Sequence, residues 1–264
     1  MNILGVNLSN NASICVMKDG VIDLYLEAER INRQKYSNSI KHLLNSWWRL
    51  QPHYNIEAIA VSDAYWDKPS KELQSVMELR RVIKMFPKAK VYDYRHLHHK
   101  CHAACAWYRS GFDDAVAIVV DANGSMINRI ETETMYELPS WNVIHKKYFD
   151  EDDVGIGKEF ELCCIRHGWH HMDAGKVMGK ASYGPTLGSG SNDCYRVQKM
   201  WEARALELAN LTDKDLVLVG GCFLNCTVNY MLKKKLGRKI YVEPISTDGG
   251  TSIGAAYLAQ AEHT

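Results

Sequence analysis

Apolar and polar positions alternate in short blocks from the first residues. Ile3-Leu4-Gly5-Val6-Asn7-Leu8 reads as a strand, Ser9-Asn10-Asn11 as a polar bend, and Ala12 to Met17 as a second strand. Asp19-Gly20 between apolar runs signals a hairpin, and Val21 to Leu26 make a third strand before Glu27-Ala28-Glu29-Arg30 opens a helix or a basic loop. The period then lengthens. Ile40, Leu43, Leu44, Trp47 and Trp48 recur at helical spacing within 39–50, Ile56 to Val61 read as a strand, and 70–86 as an amphipathic helix. The tryptophans are expected in the core. Residues 96–110 predict a further helix, followed by the buried strand Ala115 to Asp121, the bend Ala122-Asn123-Gly124 and a strand from Met126.

Beyond that come a helix at 157–167, a loop at 173–184 and a Gly/Ser-rich link at 184–191. A long helix through Leu208 leads to the strand Leu216 to Val219, then Gly220-Gly221, a helix carrying Asn225, the strand Ile240 to Val242, and a last helix opened by Gly249-Gly250-Thr251. Strand, polar bend and strand thus begin both halves, each continuing into helices. This order resembles the duplicated ribonuclease H-like fold of the superfamily of actin, the heat-shock chaperone ATPases and sugar kinases. The expectation is therefore an α/β chain with two such halves, 1–114 and 115–264, forming one catalytic unit around a central cleft.

The stretch His96 to Ser110 carries the strongest chemical signal. On a helix, His98 and His102 lie one turn apart and can meet one cation. Two imidazoles hold a metal poorly, so carboxylates are wanted. Asp121, at the end of the apolar run, and Asp248, in Ser-Thr-Asp-Gly-Gly-Thr, are the candidates. Mixed histidine and carboxylate ligands suit Fe(II), Mn(II) or Zn(II). A solvated polar helix face is the competing reading of the histidines. Cys101 and Cys105 form a rival pair at the same spacing, but without a second pair at zinc-finger spacing they read as small core residues.

Composition changes this picture little. With 264 residues, 46% hydrophobic and 24% charged, the chain can bury a substantial core. No apolar run is long enough to span a bilayer, and the opening residues lack a signal-peptide layout, so no membrane association and a cytoplasmic location are expected. The eight cysteines are scattered, apart from adjacent Cys163-Cys164 and the pair Cys222 and Cys226, and read as reduced thiols. A net charge of +1 carries no global nucleic-acid signal. Two basic clusters remain, Arg80, Arg81, Lys84, Lys88 and Lys90, and Lys233, Lys234, Lys235, Arg238 and Lys239; solvated helix faces are the alternative for both.

Strand, glycine pair and helix at 216–226 form a geometry suited to a nucleotide, since glycine admits a base or ribose to the backbone and a helix N-terminus favours anions. The pair could equally be a packing device. Taken together, several motifs resemble the O-carbamoyltransferases of antibiotics and nodulation factors, whose catalytic domain is related to the tRNA threonylcarbamoyladenosine enzyme. The carriers are residues 3–8 with Asn11-Ala12-Ser13, Glu29-Arg30 with Arg33 and Lys35, His98-His99 with His102-Ala103-Ala104, and Val119-Val120-Asp121. They continue with Gly175-Lys176-Val177-Met178-Gly179 and Tyr183-Gly184, Gly220-Gly221-Cys222 with Asn225-Cys226, and Asp248-Gly249-Gly250-Thr251-Ser252 with Gly254-Ala255-Ala256.

The resemblance implies that His98, His102, Asp121 and Asp248 hold a divalent cation, with Fe(II) first and Mn(II) or Zn(II) as alternatives. It implies that Gly220, Gly221 and Asn225, with Gly249, Gly250 and Thr251, bind ATP, and that Lys35 and Lys176 contact phosphate or carbamoyl. His99 is the candidate proton acceptor, against the alternative of a surface histidine. Asn10 stands where the family usually has histidine, and Ser182 where it has proline. Full-length relatives are longer and make carbamoyl adenylate from carbamoyl phosphate and ATP in a C-terminal region, so a separate adenylate-forming protein is an expected partner. Short chains of this resemblance look like phage-type enzymes that modify 5-hydroxymethylcytosine in DNA, acting in the host cytoplasm. The expected acceptor is therefore that hydroxymethyl group. The alternatives are a hydroxyl on a small sugar or antibiotic, a non-catalytic nucleotide-binding partner protein, and a metal-dependent hydrolase.

Overall fold

A computed structural model describes residues 1–47, 54–64, 69–125, 129–185 and 188–263. Trp48 and Met126, named above, lie outside the described residues. The chain divides into two compact units, Met1–Gly111 with Gly124–Ile130 and Ile245–Thr264, and Phe112–Asn123 with Glu131–Pro244.

In the first unit, β1 (Asn2–Asn7), β2 (Ser13–Lys18) and β3 (Val21–Glu27) form an antiparallel meander, followed by the short helix α1 (Ala28–Asn32) and by α2 (Ile40–Trp47). β4 (Ala58–Ser62), α3 (Pro69–Met85), β5 (Lys90–Asp93) and α4 (His98–Ser110) complete the run, in sheet order β3-β2-β1-β4-β5, with β1–β4 and β4–β5 parallel. The hairpin turn takes positive φ at both Asp19 (49°) and Gly20 (83°), the twist that a two-residue connection between right-handed strands needs. Both faces of β1 and β4 are covered, so these strands are continuous apolar runs. Leu4, Val6, Ile14, Ile59 and Val61 pack with Leu43 and Val82. The edge strand β5 escapes detection in the sequence because its positions are exposed except Tyr92.

In the second unit, β6 (Ala115–Val120), β7 (Glu131–Leu138) and β8 (Asn142–Tyr148) form the meander. After α5 (Ile156–Arg166), α6 (Ala174–Ala181) and α7 (Gly188–Ala209) come β9 (Leu216–Val219), a 3-10 turn at Gly221–Leu224, α8 (Cys226–Leu236) and β10 (Ile240–Val242). The sheet order β10-β9-β6-β7-β8 repeats that of the first unit, with β6–β9 and β9–β10 parallel. Each unit is thus a ribonuclease H-like α/β layer, and the duplicated fold predicted from the pattern is the fold of the chain. Three readings need correction. The loop expected at 173–184 contains α6, because Val177 and Ala181 share a buried helical face. The polar strand β8 leaves no apolar run to read, since its residues are exposed or half-buried. Asn225 lies before α8 as its N-cap, its side chain accepting from the Val228 N–H at 3.2 Å.

The last helix, α9 (Gly250–His263), belongs to the first unit and packs on β1, β2, β4 and α4. A Cβ at Gly254 would stand 1.7 Å from the Cys101 carbonyl oxygen, and one at Gly5 would stand 2.1 Å from the Ser252 carbonyl oxygen. Only glycine permits either approach. Among the described residues no helix is long and apolar enough to cross a membrane. Gly254→Ala must push α9 away from α4, which predicts a loss of about 1–3 kcal/mol or more in urea unfolding. An unchanged midpoint would show that the contact is not required.

Candidate active site

The site begins with α4, a helix buried almost all round although it opens with histidines. Its first turn is tied down by Ser125, whose hydroxyl accepts from the His98 backbone N–H at 3.1 Å. His98 and His102 are both fully buried, and their Nε2 atoms face each other at 3.1 Å with the rings nearly perpendicular at 81°. Asp248, in the segment leading into α9, brings Oδ1 to 3.6 Å from His98 Nε2 and 3.7 Å from His102 Nε2. A point about 2.0 Å from all three donor atoms exists within that triangle, the distance at which nitrogen and oxygen ligands hold a divalent cation. The donor set therefore fits the metal implied by the resemblance.

Neighbours orient these ligands. Ser9 Oγ lies 2.9 Å from Asp248 Oδ2 and 2.7 Å from Asn7 Oδ1, while Asn7 Nδ2 donates to the carbonyls of Asn10 and Asn11 at 3.0 and 3.3 Å. The bend after β1 is thereby locked around the carboxylate. Asn10 enters through its backbone carbonyl. Asp63, just past β4, is buried near His98 and Asp248, and burial pushes its carboxyl above the ordinary range despite the Ser75 hydroxyl and Arg95. Sequence reading passed over Asn7, Ser9 and Asp63, although a polar pair, Ser62-Asp63, ending an apolar strand was a usable signal.

The remaining predicted residues are distributed as follows. His99 is fully buried, so the surface alternative does not hold. Lys35 is exposed and its ammonium lies 4.5 Å over the Tyr36 ring, on a loop held where Tyr36 N–H donates to Glu29 at 3.1 Å. Thr251 is buried, bridging the Ser62 hydroxyl at 2.8 Å and the Asp248 carbonyl at 2.6 Å. Gly250 is forced by backbone, its Cβ position lying 2.2 Å from the Ile245 carbonyl, whereas a Cβ at Gly249 would meet side-chain ends, the Tyr25 hydroxyl at 2.5 Å first.

In the second unit, Asp121 follows β6, its N–H donating to the Thr132 carbonyl at 3.1 Å and its Oδ1 accepting from the Ala122 N–H at 2.7 Å. Gly220 has φ 98° and a Cβ there would meet the Val120 carbonyl at 2.4 Å, so packing alone requires this glycine. Gly221 differs, since its Cβ would meet only the Asp121 carboxylate, at 3.2 Å. The Asn225 amide is engaged by Gln198 at 2.7 Å as well as by its capping role. Lys176, on α6, pairs with Asp173 at 2.7 Å. Of the basic clusters, Arg238 is structural, with Nη1 donating to the Lys214 carbonyl at 2.9 Å.

Residues 196–257 match the family model of the carbamoyltransferase N-terminus. That segment carries Gly220, Gly221, Asn225 and Asp248 to Thr251, and the match supports a relation to the carbamoyltransferase family. No curated protein matches the sequence. Solved structures show the fold. The activator of 2-hydroxyisocaproyl-CoA dehydratase from Clostridium difficile, with bound ADPNP, superposes with a TM-score of 0.59 at 12% identity, over 99% of this chain and 95% of that one. The ROK hexokinase from Thermus thermophilus gives 0.59 at 12% identity, with all of both chains covered. Full-length HypF in its phosphate- and nucleotide-bound form gives 0.58 at 14% identity, over 99% of this chain and 46% of HypF.

The ligand triangle predicts that His102→Ala and Asp248→Asn each lower Fe(II), Mn(II) or Zn(II) affinity by at least about 100-fold, whereas Ser9→Ala, which only frees the carboxylate, lowers it about 10–100-fold. Metal content after dialysis and titration calorimetry read both, with circular dichroism confirming the fold. Stoichiometric metal in folded His102→Ala protein would refute the site.

Proposed function

We propose that the chain transfers a carbamoyl group to a hydroxyl, with the cation held by His98, His102 and Asp248 and with Asp121 as fourth ligand. The observation that carries this reading is the buried triangle of two imidazoles and a carboxylate. The family match over 196–257 supports it. Asp121 enters from its sequence motif. ATP as cofactor is supported by the nucleotide held in the Clostridium difficile activator and in HypF. The donor in this reading is carbamoyl adenylate, formed from carbamoyl phosphate and ATP by this chain or by a partner protein.

A divalent cation there supplies positive charge that polarises the carbamoyl carbonyl or the leaving phosphate and lowers the pKa of the attacking hydroxyl. The chain's own residues do the rest. The acceptor oxygen bonds to the carbamoyl carbon, the bond from that carbon to the adenylate oxygen breaks, and AMP leaves. His99 takes the hydroxyl proton, and Lys35 and Lys176 balance phosphate charge. Ser9 and Asn7 hold Asp248 so that its other oxygen stays on the ligand side. Asp248, Gly249, Gly250 and Thr251 together position the turn into α9. Gly221, where a Cβ would meet only the Asp121 carboxylate, gives adenosine room at the backbone. Gly220 and Asn225 set that turn's conformation. Gly221→Val is therefore expected to weaken ATP binding far more than it lowers the melting temperature; unchanged calorimetric affinity in a folded variant would reduce the glycine to packing.

The acceptor in this reading is the 5-hydroxymethyl group of cytosine in DNA, supported by the resemblance to short phage-type enzymes and by the basic segments on α3 and α8. A base inside a duplex must be flipped to meet a buried site, at about a few kcal/mol, so single-stranded or mismatched DNA should react faster and added salt should slow the reaction. Hydroxymethylcytosine DNA and plain cytosine DNA are incubated with carbamoyl phosphate, ATP and Fe(II), then digested to nucleosides for mass spectrometry. A carbamoylated nucleoside from the first alone is the expected result. Its absence, alongside carbamoylation of a sugar or antibiotic hydroxyl, would move the acceptor to small molecules.

A further inference from the structure

The second unit holds another cluster of metal-ligating side chains that carbamoyl transfer does not use. Cys163 lies on α5, His167 follows one turn later as the residue that ends that helix, and Cys194 lies on α7. Both cysteines are fully buried, and His167 is partly exposed. The two Sγ atoms are 3.8 Å apart, His167 Nε2 is 3.4 Å from Cys194 Sγ, and all three donor atoms lie within 4.8 Å of one another. Zinc–sulfur bonds of about 2.3 Å and zinc–nitrogen bonds of about 2.0–2.1 Å at tetrahedral angles place sulfur about 3.8 Å from sulfur and about 3.5 Å from nitrogen. The two edges that Cys194 makes follow that figure, and the third lies within 4.8 Å.

The surroundings hold the donors in place. The imidazole of His167 stacks on Trp169, with centroids 4.8 Å apart and planes 21° apart. Asp193 places Oδ2 3.4 Å from Cys163 Sγ, but Arg166 grips that oxygen at 2.9 Å and Arg196 takes Oδ1 at 3.1 Å. Asp193 is thus engaged by the guanidiniums; burial, with Cys194 and Asp193 beside it, holds the Cys163 thiol well above the usual thiol range, so the bound cation itself is what would remove its proton. Two thiolates and an imidazole are soft ligands that select zinc-class cations, unlike the harder nitrogen and oxygen donors of His98, His102 and Asp248. We propose that Cys163, His167 and Cys194 form a second metal site, for Zn(II), which staples the end of α5 to α7 and leaves the fourth position to solvent or an added ligand.

Co(II) is the probe, because only cysteine ligation produces a thiolate-to-cobalt charge-transfer band in the near ultraviolet. Reduced full-length chain titrated with Co(II) should develop that band, and Zn(II) should bleach it. The band should persist in a His98→Ala/His102→Ala chain and vanish in Cys163→Ser and in Cys194→Ser. Persistence in the double histidine variant also separates this site from the carbamoyl-transfer site. Absence of the band from the reduced wild-type chain, which needs no variant to fold, overturns the proposal. So does a band retained in Cys163→Ser, or a Cys163–Cys194 disulfide that survives reduction and keeps Co(II) out.

Discussion

Helix α9 approaches α4 and β1 at backbone distance, and the candidate active site depends on that approach. With no side chain at Gly254 or Gly5, the carbonyls of Cys101 and Ser252 come nearer than any Cβ would allow. Two helices and a strand are thereby packed to backbone distance. Their depth makes polar groups costly unless paired, and the hydroxyls pair with one another. Ser13 donates to the Gly249 carbonyl at 2.7 Å and lies 2.9 Å from Ser252, while Ser62 and Thr251 are joined at 2.8 Å. The segment leading into α9 is fixed by these bonds. Asp248 stands in that segment, beside two buried histidines of α4.

The second unit meets a similar problem at the turn after β9. The chain leaves the strand through Gly220, against the Val120 carbonyl, and then needs a 3-10 turn before α8 can start. Trp201 supports that turn from α7, its indole N–H donating to the Cys222 carbonyl at 3.1 Å and its ring meeting Phe223 edge-on at 5.1 Å. Gln198 and the α8 cap occupy the Asn225 amide. Much of the Gly-Gly and Asn signature is therefore explained by conformation. Gly221 is the exception, because a Cβ there would meet only the Asp121 carboxylate, at 3.2 Å.

Polar groups buried in this unit are also tied across elements. Glu133 on β7 is almost fully buried and meets Arg204 on α7 through two hydrogen bonds, of 3.0 and 2.6 Å, with His145 at 3.2 Å. Such a pair adds little net stability over apolar packing, but losing one partner would strand the other. It fixes the register of α7 on the sheet, and with it the position of Cys194 against α5.

Local pattern by itself determined the strands with two buried faces, the Asp19-Gly20 hairpin, the histidine helix and the repeated order of elements, because each depends on neighbours a few residues apart. It also made His98, His102 and Asp248 candidates, through the one-turn spacing of the histidines and the motif around the aspartate. Tertiary structure alone decided the rest. The polar edge strands β5 and β8 exist through pairing with β4 and β7, not through an apolar period of their own. The burial of His99, the grip of Ser9 on Asp248, the proximity of Asp63 to His98 and the meeting of Cys163 with Cys194 join distant parts of the chain. Their geometry is set by the packing of whole helices on whole sheets, which no short window of residues contains.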